Sequence, residues 1–241
     1  MTLTRRLIVT NHSNHDLEWL TDLDDYGFTP DNIYIYDRSG SGIKQYEHLG
    51  KVFESPNVGS NIYDYGRYIV ENYDDLADIN ILIKGNITWR TYTNRERFIY
   101  ALTANWFVPI DNDPIGSGDP NYFESWGEGF YVNDSSHLEK TDRFMSDHKD
   151  LKVYPRIKNI KDFLEDLFII KTIPEYLSFC PGANYVVPKQ NILKYSKNFY
   201  QKMMDYTDYD PNPMESHFFE RILLLAWQGC LLENDNHSTN V

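Results

Sequence analysis

The chain has 241 residues, of which 41% are hydrophobic, enough to bury the core of one large α/β domain and too many for global disorder. Its 23 basic and 36 acidic residues give 23 − 36 = −13, and a chain this acidic argues against binding nucleic acid. The two cysteines, Cys180 and Cys230, form no Cys-x-x-Cys pair, which is typical of a reducing compartment. The sequence shows no signal-peptide pattern and no apolar run near the ~18 residues of a membrane span, so we expect a cytoplasmic protein without a transmembrane segment.

Strand and helix patterns alternate along the first 105 residues. Apolar runs that end in polar turns predict strands within residues 5–13, 32–42, 51–59 and 79–83. Helical spacing predicts helices from Asp16 to Gly27, from Ser60, which we expect to cap its helix, and near residues 94–105. This alternation predicts an α/β fold, a single doubly wound and mostly parallel sheet with flanking helices.

The second part of the chain has a different pattern. Residues 106–150 are rich in Gly, Pro, Asp and Asn and predict an irregular insertion. Further on, the sequence predicts a helix at 160–169, a turn and a strand at 176–190, an amphipathic helix, and a buried helix that ends near Gly229.

Several motifs, in this order, resemble those of nucleotide-sugar glycosyltransferases with the A-type fold. "IYDRSGSG" ends a strand on an acid, and "NVGSNIYDYGRYI" is similar to the Asn-x-Gly…Arg segment of family-2-type enzymes. "INILIKGN" stands where those enzymes carry Asp-x-Asp. "FCPGANYVVPKQNIL" resembles their acceptor-side strand, and "MESHFFER" stands where they have an acid at a helix start. The whole pattern is similar to an uncharacterised domain group of that superfamily, over most of the chain except about 106–150.

The resemblance implies one glycosyltransferase-A-like domain over residues 1–241, with a nucleotide-binding half (1–105) and an acceptor half (106–241). It implies transfer of a sugar from a nucleotide-diphosphate sugar to a glycan or another hydroxyl acceptor, as in polysaccharide biosynthesis. Two alternatives remain open: a non-catalytic module of the same fold that binds a nucleotide sugar or a glycan, and a nucleotidyltransferase-like enzyme.

Ligands of open α/β sheets bind beyond the carboxyl ends of the strands, which groups the predicted donor-binding residues at one edge. These residues are Asn11, Asp37, Arg38, Asn57, Arg67, Lys84, Asn86 and Arg90. Structural roles are the alternative for several of them. Asp37 also suits the start of a turn, Arg67 suits a salt bridge with Asp64 or Glu71, and Lys84 suits a solvated strand end.

The sequence departs from the resemblance where the metal ligands are expected. Lys84, Gly85 and Asn86 replace Asp-x-Asp, and the only Asp-x-Asp in the chain is Asp111-Asn112-Asp113. Asp111 and Asp113 have the spacing to share Mn²⁺ or Mg²⁺, although Asp-Asn-Asp-Pro is also an ordinary turn sequence. The other possibility is a site without a metal, in which Lys84 and Arg90 neutralise the diphosphate.

Two carboxylates are candidates for the general base that activates the acceptor hydroxyl. We prefer Glu215, near a helix start, and place Glu220 second, because a carboxylate in apolar surroundings has a raised pKa. His217 or Arg221 is a potential partner of Glu220, which would make Glu220 purely structural.

Overall fold

The computed structural model of the chain describes residues 2–12, 15–40, 43–89, 95–110, 129–131, 157, 159–170, 172–173 and 175–234. Its strands are β1 (Arg5–Asn11), β2 (Ile33–Asp37), β3 (Lys51–Glu54), β4 (Ile79–Lys84), β5 (Val108–Pro109), β6 (Gly129–Tyr131), β7 (Tyr176–Ser178) and β8 (Tyr185–Pro188). Its α-helices are α1 (Ser60–Asn72), α2 (Arg95–Thr103), α3 (Ile160–Leu167), α4 (Lys189–Ile192), α5 (Lys197–Asp205) and α6 (Met214–Gln228). Short 3-10 helices accompany them, the longest at Glu18–Tyr26.

Among the described residues, the main sheet has six strands in the order β3-β2-β1-β4-β8-β5, and β6 pairs with β7 in a second sheet. The pairings among β3, β2, β1 and β4 are parallel, whereas β8 runs antiparallel to both β4 and β5. The predicted α/β class with flanking helices is confirmed. The prediction of a mostly parallel sheet is wrong, because the sheet is mixed.

The direction of β8 explains the difference. A parallel neighbour of β4 would have to return to the amino edge of the sheet through a crossover. Here β8 instead follows a tight turn at residues 179–184, and Asn184 Oδ1 accepts a hydrogen bond of 2.8 Å from the backbone N–H of Lys84. The chain therefore enters β8 beside the carboxyl end of β4 and runs the other way.

The sheet is covered on both faces, so its central strands are buried on both sides. Ile8, Leu82 and Tyr185 belong to one hydrophobic core with α1, α3, α5 and α6. Their strand neighbours contribute to a second core with the Glu18–Tyr26 helix and α2. Period-two alternation of strand side chains produces these two layers. In the part of the chain that the structure describes, no helix has the length and apolar character needed to span a bilayer.

The start of α1 differs from the prediction. Ser60 does not cap the helix with its side chain; Gly59, at φ 63°, is the N-cap, and Ser60 itself has φ 54°. The backbone N–H groups of Gly59 and Ser60 donate to the carbonyls of Asp210 and Pro211 at 2.8 and 3.0 Å. Contact with the segment before α6 therefore sets this helix start, and a local capping pattern cannot reveal such a contact.

Gly59→Ala is expected to lower the free energy of unfolding by about 2 kcal/mol, from the strained φ and the lack of space together. An added Cβ would lie 2.5 Å from Tyr63 Cβ and 2.8 Å from Thr207 Cβ. Gly40→Ala is the matched control, since Gly40 also has a positive φ of 70° but no atom of the described residues lies within 4 Å of the added Cβ. It should cost only about 1 kcal/mol. Urea denaturation measures both, and equal losses would contradict the crowding at Gly59.

Candidate functional site

A cavity of about 310 Å³ opens at the carboxyl edge of the parallel strands. Segments that are far apart in sequence meet there: the ends of β1, β2 and β4, the start of α1, and the segment before α6. The lining residues are Thr10, His12, His15, Arg38, Ser60, Lys84, Asn86, Pro211 and Asn212. This position is the topological switch point of the sheet, because β2 lies on one side of β1 and β4 on the other.

The register of β1 and β4 brings the first two lining residues together. Thr10 and Lys84 are directly paired across the parallel ladder. The Thr10 side chain is 2% exposed, and its Oγ1 has no hydrogen-bond partner among the residues that the structure describes. A buried hydroxyl without a partner carries a desolvation cost that a ligand at this position would relieve.

Arg38 is, with Lys84, a cationic residue that lines the cavity, and two contacts hold it in place. Its backbone N–H donates to Asn11 O at 2.9 Å. Its guanidinium Nε lies 3.0 Å from Asp64 Oδ2, and the side chains are only 6% and 0% exposed. The ion pair fixes the direction of the guanidinium beside the cavity.

Asp64 lies one helical turn after Ser60 on α1 and is fully buried. Besides the Arg38 contact, its Oδ1 accepts a hydrogen bond of 2.5 Å from Ser55 Oγ. Burial raises the pKa of the Asp64 carboxyl to about 7, although Arg38 and the Ser55 hydrogen bond act in the opposite direction. Asp64 therefore changes charge near neutral pH.

The cavity is suited to an anion. Arg38 and Lys84 are cationic, Ser60 lies in the first turn of α1, and no carboxylate is found among the lining residues that the structure describes. Burial, together with the charge of Arg38, lowers the pKa of His12, and burial lowers that of His15. At neutral pH both imidazoles are therefore mainly uncharged hydrogen-bonding groups. In a chain with net charge −13, this is a local concentration of positive charge that suits phosphate.

Two of the predicted donor-binding residues, Asn11 and Asp37, are not lining residues and instead support the loop that carries Arg38. Asn11 Nδ2 donates to Asp37 Oδ1 at 2.9 Å, and both residues are buried. Asp37 also accepts hydrogen bonds from Ser39 N and Ser39 Oγ at 3.2 and 2.9 Å. These are the contacts of a residue that starts a turn, the structural alternative raised by the sequence, and they shape the loop that carries Arg38.

Two other predicted donor-binding residues, Asn57 and Arg67, lie away from the cavity. Asn57 is exposed in the turn before α1 and is not among the lining residues. Arg67 donates to Glu71 Oε1 at 2.8 Å and to the carbonyl of Glu54 at 2.7 Å. Its guanidinium also lies over the Tyr36 ring, 5.4 Å from the centroid. Arg67 thus ties α1 to the end of β3, and its partner is Glu71.

The two candidate bases have different surroundings. Glu215 is completely buried and accepts a hydrogen bond from the Tyr209 hydroxyl. Glu220 keeps 16% side-chain exposure, accepts a hydrogen bond of 3.0 Å from Gly182 N, and lies 3.8 Å from Arg221. Burial alone would raise the pKa of Glu220, but the charges of Lys84 and Arg221 and the Gly182 hydrogen bond hold it below its usual range. Glu220 is therefore the carboxylate linked electrostatically to the cavity, through Lys84.

The remaining predicted residues, Arg90, Asp111 and Asp113, lie outside the described residues. Within the described ranges, no group of three or more His, Cys, Asp or Glu side chains is arranged to hold a metal ion. The prediction of a Mn²⁺ or Mg²⁺ site at Asp111 and Asp113 stays a prediction.

Arg38, Lys84 and Asn86, which are among the predicted donor-binding residues, line the cavity, whereas its other lining residues were not among the predicted site residues. His12 and His15 follow β1 in "TNHSNHD", and this pair after a strand was the signal that could have identified them. Pro211 and Asn212 carry no such signal, because they reach the cavity through the backbone contacts with Gly59 and Ser60.

Searches against protein family models, curated proteins and solved structures find no match for this chain. The case for a function therefore depends on the site itself.

Proposed function

We propose that the cavity binds the diphosphate of a nucleotide-diphosphate sugar and that the protein transfers the sugar to a glycan or another hydroxyl acceptor. The observation that carries this proposal is the charge of the cavity. Arg38 and Lys84 meet there without a lining carboxylate in the described part of the chain. Phosphate oxygens favour arginine and lysine side chains.

The sheet topology supports the same ligand class. In open α/β sheets, nucleotides bind at the carboxyl edge where the strand order reverses. The cavity occupies this position between β1 and β4. Fold position alone does not define an activity, but here it coincides with the cationic lining.

In the proposed reaction the acceptor oxygen attacks the anomeric carbon of the sugar. The bond from that carbon to the diphosphate oxygen breaks, and the diphosphate leaves with the electron pair. Arg38 and Lys84 stabilise the charge that develops on it, as preorganised cations in a partly closed site. The acceptor proton passes to a carboxylate, and we assign this role to Glu220 in preference to Glu215, because Glu220 keeps some side-chain exposure whereas Glu215 is completely buried and hydrogen-bonded to Tyr209.

Lys84 and Arg38 provide positive charge that a divalent cation would otherwise supply, so we propose that diphosphate binding itself needs no metal. If Asp111 and Asp113 do bind Mn²⁺ or Mg²⁺, the ion would add further neutralisation of the leaving group.

A second candidate is a non-catalytic module that binds a nucleotide sugar. The low pKa of Glu220 favours it, since a carboxylate stabilised as an anion is a weaker base. The module would use the same cavity and would release its ligand unchanged.

Thermal-shift measurements with UDP-glucose, GDP-mannose and ADP-glucose, each with and without Mn²⁺, test the shared binding step. We expect stabilisation by at least one of them without Mn²⁺, and its absence with all three would overturn the proposal. Donor turnover is then measured for the unchanged protein and for Glu220→Gln. Turnover that Glu220→Gln loses while it still binds the donor supports the transferase, whereas binding without turnover in the unchanged protein supports the module.

A further inference from the structure

A buried ion pair connects the proposed anion cavity to a group that does not line it. Arg38 lines the cavity, and its guanidinium is 3.0 Å from Asp64, whose side chain is fully buried in α1. The carboxylate therefore competes with any bound anion for the same guanidinium.

Two features of the surroundings of Asp64 favour protonation of its carboxylate. Arg38 and Asp37 approach from the end of β2, Ser55 from the residue after β3, and Arg67 from the next turn of α1. Asp37 adds negative charge nearby, and burial removes hydration from the carboxylate. Burial and Asp37 therefore oppose the stabilisation by Arg38, Arg67 and Ser55.

From this geometry we infer that Asp64 is a positioning residue whose protonation is coupled to anion binding. Deprotonated Asp64 holds Arg38 in place while the cavity is empty. When a phosphate group contacts Arg38, its negative charge disfavours a second anion on the other side of the guanidinium, and Asp64 takes up a proton from solvent. The inference deepens the proposed function and rests on its anion cavity, since a phosphate or a similar anion must contact Arg38.

Coupling of this kind is reciprocal, so a falling pH must tighten anion binding. The ionised carboxyl prevails above about pH 7 and the neutral one below it. We expect affinity to rise by about fivefold from pH 8 to pH 6, within the limit of tenfold per pH unit for a single coupled proton.

The first probe is UDP-glucose, whose diesterified diphosphate does not titrate in this range, with binding measured by calorimetry from pH 5.5 to 8.5. Asp64→Asn should bind at pH 8 about as tightly as the unchanged protein does at pH 6, with no pH dependence. In Ser55→Ala the carboxylate loses a hydrogen bond, so the midpoint of the pH dependence should move to higher pH. A merely structural role for Asp64 would not move that midpoint.

The lining histidines are the competing source of pH dependence. The variant His12→Gln/His15→Gln should bind more weakly yet keep the change near pH 7. Loss of the change in that variant, or its persistence in Asp64→Asn, would overturn the inference.

The second probe, sulfate, separates this inference from the proposed function. Sulfate titrations followed by amide NMR shifts at constant ionic strength report the cavity without any nucleotide. Sulfate binding that depends on Asp64, combined with failure of UDP-glucose and other nucleotide sugars, would keep the inference and reject the proposed function. Nucleotide-sugar binding without any pH dependence would keep the proposed function and reject the inference. If neither UDP-glucose nor sulfate binds, both the inference and the proposed function are rejected.

Discussion

Lys84→Ala is expected to weaken the binding of UDP by about 100-fold, the equivalent of about 3 kcal/mol. Lys84 stands at the carboxyl end of β4, directly across from Thr10, and lines the cavity beside Asn86. Lys84 and Arg38 are the two lysine or arginine residues among the lining residues that the structure describes. Removal of a charge-assisted contact to phosphate costs more than removal of a neutral hydrogen bond. Calorimetric titration measures the loss.

Two variants control this experiment. Lys84→Arg keeps the charge at the strand end and should lose less than tenfold in affinity. Lys197→Ala removes an equal charge from an exposed position in the first turn of α5, which does not line the cavity, and should leave UDP binding unchanged. If Lys84→Ala binds UDP as well as Lys197→Ala does, the cavity is not the diphosphate site.

Asp64→Asn is expected to gain stability relative to the unchanged protein by about 3 kcal/mol as the pH rises from 5 to 8. The pKa of Asp64 is raised from its ordinary value of 3.8 to about 7 in the folded protein. The stabilising contribution of the protonated carboxyl is therefore complete below the unfolded-state pKa and is lost as the pH rises through about 7. Asparagine cannot ionise, so the variant does not lose this stabilising contribution as the pH rises.

Urea denaturation at pH 5 and pH 8 measures this difference. The ion pair with Arg38 needs no separate correction, because its effect is already contained in the folded-state pKa of Asp64. Asp31→Asn, at an exposed turn position, is the matched control and should show little change between the two pH values. An equal stability difference at both pH values for Asp64→Asn would contradict the raised pKa.

The local sequence pattern predicted the elements of the first half well, because their signals are local. Apolar runs mark β1, β2 and β4, and Gly27, in the left-handed conformation at φ 83°, ends the 3-10 helix where the sequence placed a helix end. Gly85 directly follows β4. An added Cβ there would lie 2.9 Å from Leu17 Cδ2, so its small size serves packing against the 3-10 helix.

The features that sequence reasoning missed depend on contacts between distant parts of the chain. The direction of β8 follows from a turn held by Asn184, and the start of α1 follows from the carbonyls of Asp210 and Pro211. Asp64 was considered only as a salt-bridge partner of Arg67, whereas it pairs with Arg38. The spacing i to i+3 favoured Arg67, but a side chain's partner is set by the tertiary fold once the helix packs on a sheet.

The late position of β8 has a consequence for biosynthesis. β8 lies between β4 and β5 in the sheet, yet it is the last of the six strands in sequence. During translation the apolar edge of β4, with Ile81 and Leu82, cannot pair with β8 until residues 185–188 have left the ribosome. Unpaired apolar edges promote aggregation, and pairings between distant segments form slowly. The nascent chain therefore passes through a period of exposure to aggregation that ends only when β8 is inserted.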